Sequence, residues 1–229
     1  MILLHVTDLH FRQPWFHWLR DGAPAHDALL ISGDLLDQRL PHATPQIDWV
    51  SDWLRASPVP VVVGSGNHDL QWDPARYRWQ PAYWLRDLAA APVYPDGSTL
   101  NHHGLSLAPI ACTQRPRSAV ADCWIVHTPP AGTAVARTLA GVDRGDPYLT
   151  AAVTCQSPAY VFSGHVHEPE KWHDTLGSTS VFNPGSNPHS RFPNHILLNG
   201  ETGEARRITD RLHGHRHEEV IRTGVFVLA

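Results

Sequence analysis

The chain has 229 residues, 42% of them hydrophobic and 17% charged, with 18 Lys and Arg against 22 Asp and Glu. That supplies one sizeable core, and a net charge of −4 argues against the clustered basic footprint of a stable nucleic-acid binder. Three cysteines (Cys112, Cys123 and Cys155) show no paired spacing, which argues against a disulfide framework and against a zinc–thiolate site.

The N-terminal run Met1-Ile2-Leu3-Leu4-His5-Val6 has no charged leader and no long apolar stretch. It predicts neither a signal peptide nor a membrane span, and with unpaired cysteines the expected location is cytoplasmic. No linker, repeat or low-complexity tract divides the chain, so a single domain over 1–229 is expected.

In chain order, residues 2–6 read as a buried strand followed by Thr7-Asp8-Leu9-His10, and Trp15–Arg20 as a short helix. Ala28–Ile31 is a second apolar strand, ending in Ser32-Gly33-Asp34-Leu35-Leu36-Asp37. The span 44–56 predicts a helix, with Thr44 as N-cap and Ile47, Val50, Trp53 and Leu54 on one face. Val59–Val63 is a branched apolar run bounded by turn residues, as in a strand covered on both faces. It breaks into Gly64-Ser65-Gly66-Asn67-His68-Asp69, in which Asp69 is expected to hold the turn. Arg78–Ala90 reads as a helix ending near Pro92.

Beyond residue 93 short strands dominate, at Leu105–Ile110, Trp124–Val126 and Tyr160–Phe162. Residues 112–122, with Arg115 and Arg117, read as an exposed loop, and Pro147–Cys155 as a helix. Val181-Phe182 leads into Asn183-Pro184-Gly185-Ser186, and a hairpin-like turn at 199–203 joins two strands at 195–198 and 204–208. Residues 211–219 are polar, and Val225–Leu228 reads as a last short strand.

Five apolar strands thus end in Asp-x-His, Gly-Asp-x-x-Asp, Gly-Asn-His-Asp, His and Gly-His-x-His, in that order. Parallel strands bring such ends together at one sheet edge, where open α/β sheets bind their ligands. The imidazole, carboxylate and amide oxygen set, without thiolate, suits Mn, Fe, Zn or Ni. Asp8, His10, Asp34, Asn67, His127, His165 and His167 exceed the needs of one ion. With one bridging carboxylate they form two four-ligand half-sites, and two ions about 3.5–4 Å apart suit in-line displacement at phosphorus. Gly214-His215-Arg216-His217 repeats the last motif, but after Arg211-Leu212-His213 rather than an apolar strand. It is read as surface, as are His102, His103 and His213.

This ordered series resembles the calcineurin-like metallophosphoesterase family, including its small prokaryotic members. The resemblance implies an α/β/β/α sandwich of two mixed sheets flanked by helices. It implies two divalent transition-metal ions, one held by Asp8, His10, Asp34 and His167, the other by Asp34, Asn67, His127 and His165. It implies that His68 protonates the leaving oxygen and that Asp37 orients His68 through its other nitrogen. The implied activity is hydrolysis of a phosphodiester or phosphomonoester in a small, nucleotide-like substrate by a metal-bridging hydroxide.

Family members that split dinucleoside polyphosphates carry Asp-Arg-Gly where this chain has Asp37-Gln38-Arg39, so that activity is the lesser alternative. Repair nucleases of the family add a capping domain and a basic surface, for which length and charge leave no room. Some small members are protein-interaction scaffolds that have lost ligands, whereas here every matched position is intact. Arg12, two residues past His10, is the candidate for an added phosphate contact, and Trp15 and Trp18 are expected to pack in the core.

Overall fold

The computed structural model describes residues 1–38, 43–115, 121–211 and 215–224, the side chains of Ala43, Arg211 and His215 excepted. One mixed sheet is built on strands β1 (Ile2–Val6), β2 (Ala28–Ser32) and β3 (Val61–Gly64), which run parallel side by side. Three short strands lie between them and the rest: β4 (Gln71–Asp73) and β5 (Arg78–Gln80) form a separate hairpin, and β6 (Val93–Pro95) extends the first sheet beyond β3.

The second sheet contains β7 (Leu100–His102), β8 (Leu105–Pro109), β9 (Cys123–Ile125), β10 (Tyr160–Phe162), β11 (His173–Leu176) and β12 (Thr179–Phe182). Its strand order is β11-β12-β10-β9-β8-β7, with β8, β9, β10 and β12 parallel. Antiparallel β13 (His195–Asn199), β14 (Glu204–Arg211) and β15 (His215–Arg222) complete the first sheet on the far side of β1.

The strands' two-residue period sorts their side chains into three apolar layers. Leu3, Leu30, Val62, Ile125, Phe162 and Phe182 face inward and form the core between the sheets. Leu4, Val6, Ile31, Val61 and Val63 face outward, under helices α1 (Gln13–Asp21), α2 (Ala43–Arg55) and α3 (Tyr83–Arg86). Trp124, Val126, Val161 and Val181 are covered by Leu149 and Val153 of helix α4 (Pro147–Gln156). The architecture is therefore the expected α/β/β/α sandwich. Among the described residues, no helix is long and apolar enough to cross a membrane.

One expectation is corrected. The span 78–90 is not one helix: Arg78–Gln80 is strand β5, and only Tyr83–Arg86 is α-helical. Pro81 disfavours helical backbone at Gln80, and the extended segment gains a cross-strand pair of Trp79 with Trp72, ring centroids 5.3 Å apart. The sequence assigns no regular structure to the polar stretch 211–219, in which Arg211 and His215–Glu219 lie in paired strands. Alternating charges support this edge hairpin, with Arg206 reaching Glu218 at 3.3 Å and Arg207 reaching Glu219 at 3.0 Å. Arg117, His213 and the strand expected at 225–228 lie outside the described residues.

Candidate metal centre

The carboxyl ends of β1, β2 and β3 in one sheet, and of β9 and β10 in the other, open onto a common edge. The chain turns sharply there. Asp8, His10, Asp34 and His165 have φ of 52°, 42°, 55° and 65°, the left-handed region that non-glycine residues rarely adopt. Such strain clusters at sites where side-chain direction matters more than local comfort. Backbone hydrogen bonds hold it in place: Asp8 N donates to Gly33 O at 3.1 Å and His10 N to Asp34 O at 2.9 Å.

Two glycines allow close approach at this edge, Gly66 within the first sheet and Gly164 between the sheets. A Cβ on Gly66 would overlap Asp34 Oδ1, and one on Gly164 would overlap Thr7 Oγ1 and lie 2.7 Å from Asp8 Oδ2.

The seven ligand-type residues converge as two groups. In the first, Asp8 Oδ1 lies 3.3 Å from His167 Nε2 and 3.9 Å from His10 Nε2, and those two nitrogens are 3.3 Å apart. In the second, Asn67 Oδ1 lies 3.0 Å from His127 Nε2 and 3.1 Å from His165 Nδ1. Asp34 Oδ2 faces both groups, 3.3 Å from His127 Nε2 and 3.9 Å from His10 Nε2.

These spacings suit bound cations. Ligand atoms about 2.0–2.2 Å from one ion lie roughly 3–3.5 Å from each other. Asp8 Oδ1 is buried with no hydrogen-bond partner among the described residues, while its Oδ2 accepts from Thr7 Oγ1 at 2.8 Å and His165 N at 3.1 Å. A buried carboxylate oxygen left bare toward two imidazoles is costly unless a positive charge meets it.

His127 has the same need. Its Nδ1 lies 2.8 Å from Ser32 O, which fixes a proton there and leaves Nε2 facing the oxygens of Asp34 and Asn67. Burial works against a charged imidazole, but the Asp34 carboxylate and its hydrogen bond prevail and push His127 up to about 10. The pocket demands a positive charge at that nitrogen, which a proton or a metal ion can supply. Burial also opposes ionisation of Asp34, yet His127 and the backbone N–H of His68 hold its carboxyl well below the usual range.

His68 sits beside the first group, its Nε2 4.0 Å from Asp34 Oδ2 and its ring centroid 4.7 Å from that of His10. Asp37 lines the same cleft, of about 330 Å³, with Asp8, His10, Arg12, His68 and His167. The hydrogen bond implied between Asp37 and His68 is not made, since His68 Nδ1 is buried without a partner among the described residues. Asp37 is instead tied through its backbone, accepting from Gln46 Nε2 at 3.1 Å and donating to Gln46 Oε1 at 2.9 Å.

Asp69 holds the turn. Its carboxylate accepts from the backbone of Leu35 at 2.9 Å, Leu36 at 3.0 Å and Gly66 at 2.8 Å. Burial, then the neighbouring Asp34 charge, pushes it up to about 7. Arg12 caps the start of α1, its guanidinium 4.8 Å over the Trp15 ring and its Nε buried without a partner among the described residues. Trp15 itself is core, donating to Ser190 O at 3.0 Å, and Trp18 stacks on Phe192. His217 stays on the edge strand beside Glu219 at 3.7 Å.

Sequence reasoning gave no role to the loop at 183–186. Buried Asn183 donates from Nδ2 to Gly164 O and Val166 O, both at 3.0 Å, and Ser186 N donates to His167 O at 2.8 Å. The loop therefore braces the turn that carries His165 and His167. A polar turn following the apolar Val181-Phe182 strand was its signal.

The model of the calcineurin-like phosphoesterase family matches residues 1–169. The chain belongs to that family. None of the curated proteins matches it in sequence. Among solved structures it is similar to TT1561 of Thermus thermophilus, at 13% identity and a TM-score of 0.61 over 86% of this chain and 93% of that one. It is also similar to GAP50, the anchor in the inner membrane complex of Plasmodium, at 11% identity and a TM-score of 0.56 over 99% and 90%. Vps29 of Chaetomium thermophilum gives 12% identity and a TM-score of 0.50 over 97% and 98%. At these identities the likeness establishes the shared fold.

Proposed function

We propose that the protein is a dinuclear-metal-dependent hydrolase of phosphodiester or phosphomonoester bonds in a small, nucleotide-like substrate. The observation that carries this reading is the convergence of seven ligand-type side chains as two groups joined by Asp34 Oδ2. Asp8, His10, Asp34 and His167 would hold one transition-metal ion, and Asp34, Asn67, His127 and His165 the other. When bound, two such ions lower the pKa of water and neutralise charge on phosphoryl oxygens.

The chain's own residues supply the rest. Asp34 Oδ1 accepts from His68 N at 2.8 Å, which anchors the turn that carries His68, and this reading assigns its imidazole to the substrate rather than to the ions. His68 then delivers a proton to the leaving oxygen. Asp37 lines the same cleft as His68. Arg12, propped on Trp15, contributes a guanidinium to the phosphoryl oxygens.

A protein-interaction scaffold on the same fold would have no use for the bare Asp8 Oδ1 or for strained ligand residues. The deciding experiment is an assay of purified protein on nitrophenyl phosphate esters with added Mn²⁺ and after chelation. The reading expects metal-dependent turnover that chelation abolishes and metal restores. A protein loaded with metal and inert on mono- and diesters alike would contradict it.

A further inference from the structure

The cleft that holds His68 and Arg12 is not the only approach to the metal centre. A second cleft, of about 470 Å³, opens on the other side of His167 and contains His165, Thr138, Arg144 and Glu168. The two share one wall, made of His167, Ser186 and Pro188. The metal centre therefore lies on a saddle between two clefts, with His167 lining both. A phosphomonoester has one organic arm and would leave one cleft unused.

The charges differ between the two sides. His68, the proposed proton donor, lies on the Arg12 side. The other side ends in exposed Arg144 and Glu168, which pair neither with each other nor with another side chain among the described residues. A guanidinium presents forked donors to phosphate, and a carboxylate accepts from sugar hydroxyls. Together they suit a ribonucleotide-like arm.

Resting on the hydrolase reading above, we propose that the substrate is a phosphodiester lying across this saddle. Its leaving alcohol occupies the Arg12–His68 cleft, and its retained nucleotide-like arm occupies the cleft of Arg144 and Glu168. Water attacks phosphorus as the bond to the leaving oxygen breaks, and that oxygen takes its proton from His68. The proton lost by water completes the balance, so diester and water give a monoester on the Arg144 side and a free alcohol.

The test uses two substrates with one leaving group, p-nitrophenyl phosphate and the p-nitrophenyl ester of uridine 5′-monophosphate, on the Mn²⁺-loaded protein. Their difference reports the retained arm together with the change from monoester dianion to diester monoanion, and the change of that difference on substitution isolates the arm's contacts. The uridylyl ester should have kcat/KM at least about tenfold higher, because binding energy from a remote arm serves the reaction. Arg144→Ala and Glu168→Ala should each lower that ratio about fivefold, the effect of removing one charged hydrogen-bonding group from the arm's site. Calorimetry should show uridine 5′-monophosphate binding the metal-free variants more weakly than metal-free wild type, by a similar factor. Equal or better turnover of the monoester overturns the inference and leaves the hydrolase reading standing. So does a uniform loss on both substrates, because a merely structural role leaves the ratio unmoved. Turnover of neither substrate sinks the hydrolase reading, and this inference falls with it.

Discussion

Asp8 and His165 are 157 residues apart, yet the backbone N–H of His165 donates to Asp8 Oδ2 at 3.1 Å. The bond ties the end of β1 in one sheet to the end of β10 in the other. Thr7 Oγ1 occupies the same carboxylate oxygen, so Oδ1 is the atom left to face His10 and His167. Fold and site meet in that contact, since the sheets must close on each other for the ligand atoms to assemble.

Closure depends on Gly164. A methyl group there would overlap Thr7 Oγ1 and crowd Asp8 Oδ2. Gly164→Ala is expected to cost about 1–3 kcal/mol from overpacking, seen as a fall of several degrees in the thermal midpoint. It should also lower bound metal. Gly224, with no atom of the described residues within 4 Å of an added Cβ, is the control, and Gly224→Ala should change neither midpoint nor metal content.

Asp34 faces both ligand groups, so Asp34→Asn is expected to be the most damaging single ligand change. Bound metal should fall at both positions, and turnover by at least about 10²-fold. His217→Ala, on the far edge strand, should leave metal content at the wild-type value. Elemental analysis of the three proteins side by side makes the comparison. Equal losses in Asp34→Asn and His217→Ala would remove the bridge from the account.

Much of this was legible in the sequence because strand ends are local signals. Branched apolar runs such as Val61-Val62-Val63 announced buried strands, and polar residues just past them announced the shared edge. The left-handed backbone of Asp8, His10, Asp34 and His165 carried no sequence signal, because only the closed fold imposes it. Helical spacing misled at 78–90, where Pro81 and the Trp72–Trp79 pair outweighed local propensity. Charge gave no strand signal at 215–219, although cross-strand ion pairs stabilise an exposed edge strand there.

His195 gives a pH prediction away from the metal centre. Burial among Trp18, Phe192 and Pro193 holds its imidazole down to about 4. The unfolded chain binds this proton near its ordinary pKa of about 6.5. The folded state therefore has the full benefit of a neutral His195 above that value and loses it as pH falls toward 4. Urea unfolding at pH 7 and pH 4.5 should show wild type losing about 2–3 kcal/mol more than His195→Phe. Parallel losses in the two proteins would show that His195 is not a source of acid lability.

His68 separates proton donor from metal ligand. His68→Ala should keep its metal and its fold, yet lose roughly 10²–10⁴ in kcat on esters of poor leaving groups. A nitrophenyl ester should suffer less, because nitrophenolate leaves without a proton. Loss of metal from the variant would make His68 a ligand, and equal losses on both esters would strip it of the acid role.

In the proposed function, two ions joined through Asp34 act together on a phosphoester. The direct measurement is activity against a counted number of Mn²⁺ ions per chain, starting from metal-free protein. Activity is expected to follow occupancy of the second ion and to level off at two per chain. Full activity at one ion per chain, or at none, would contradict it.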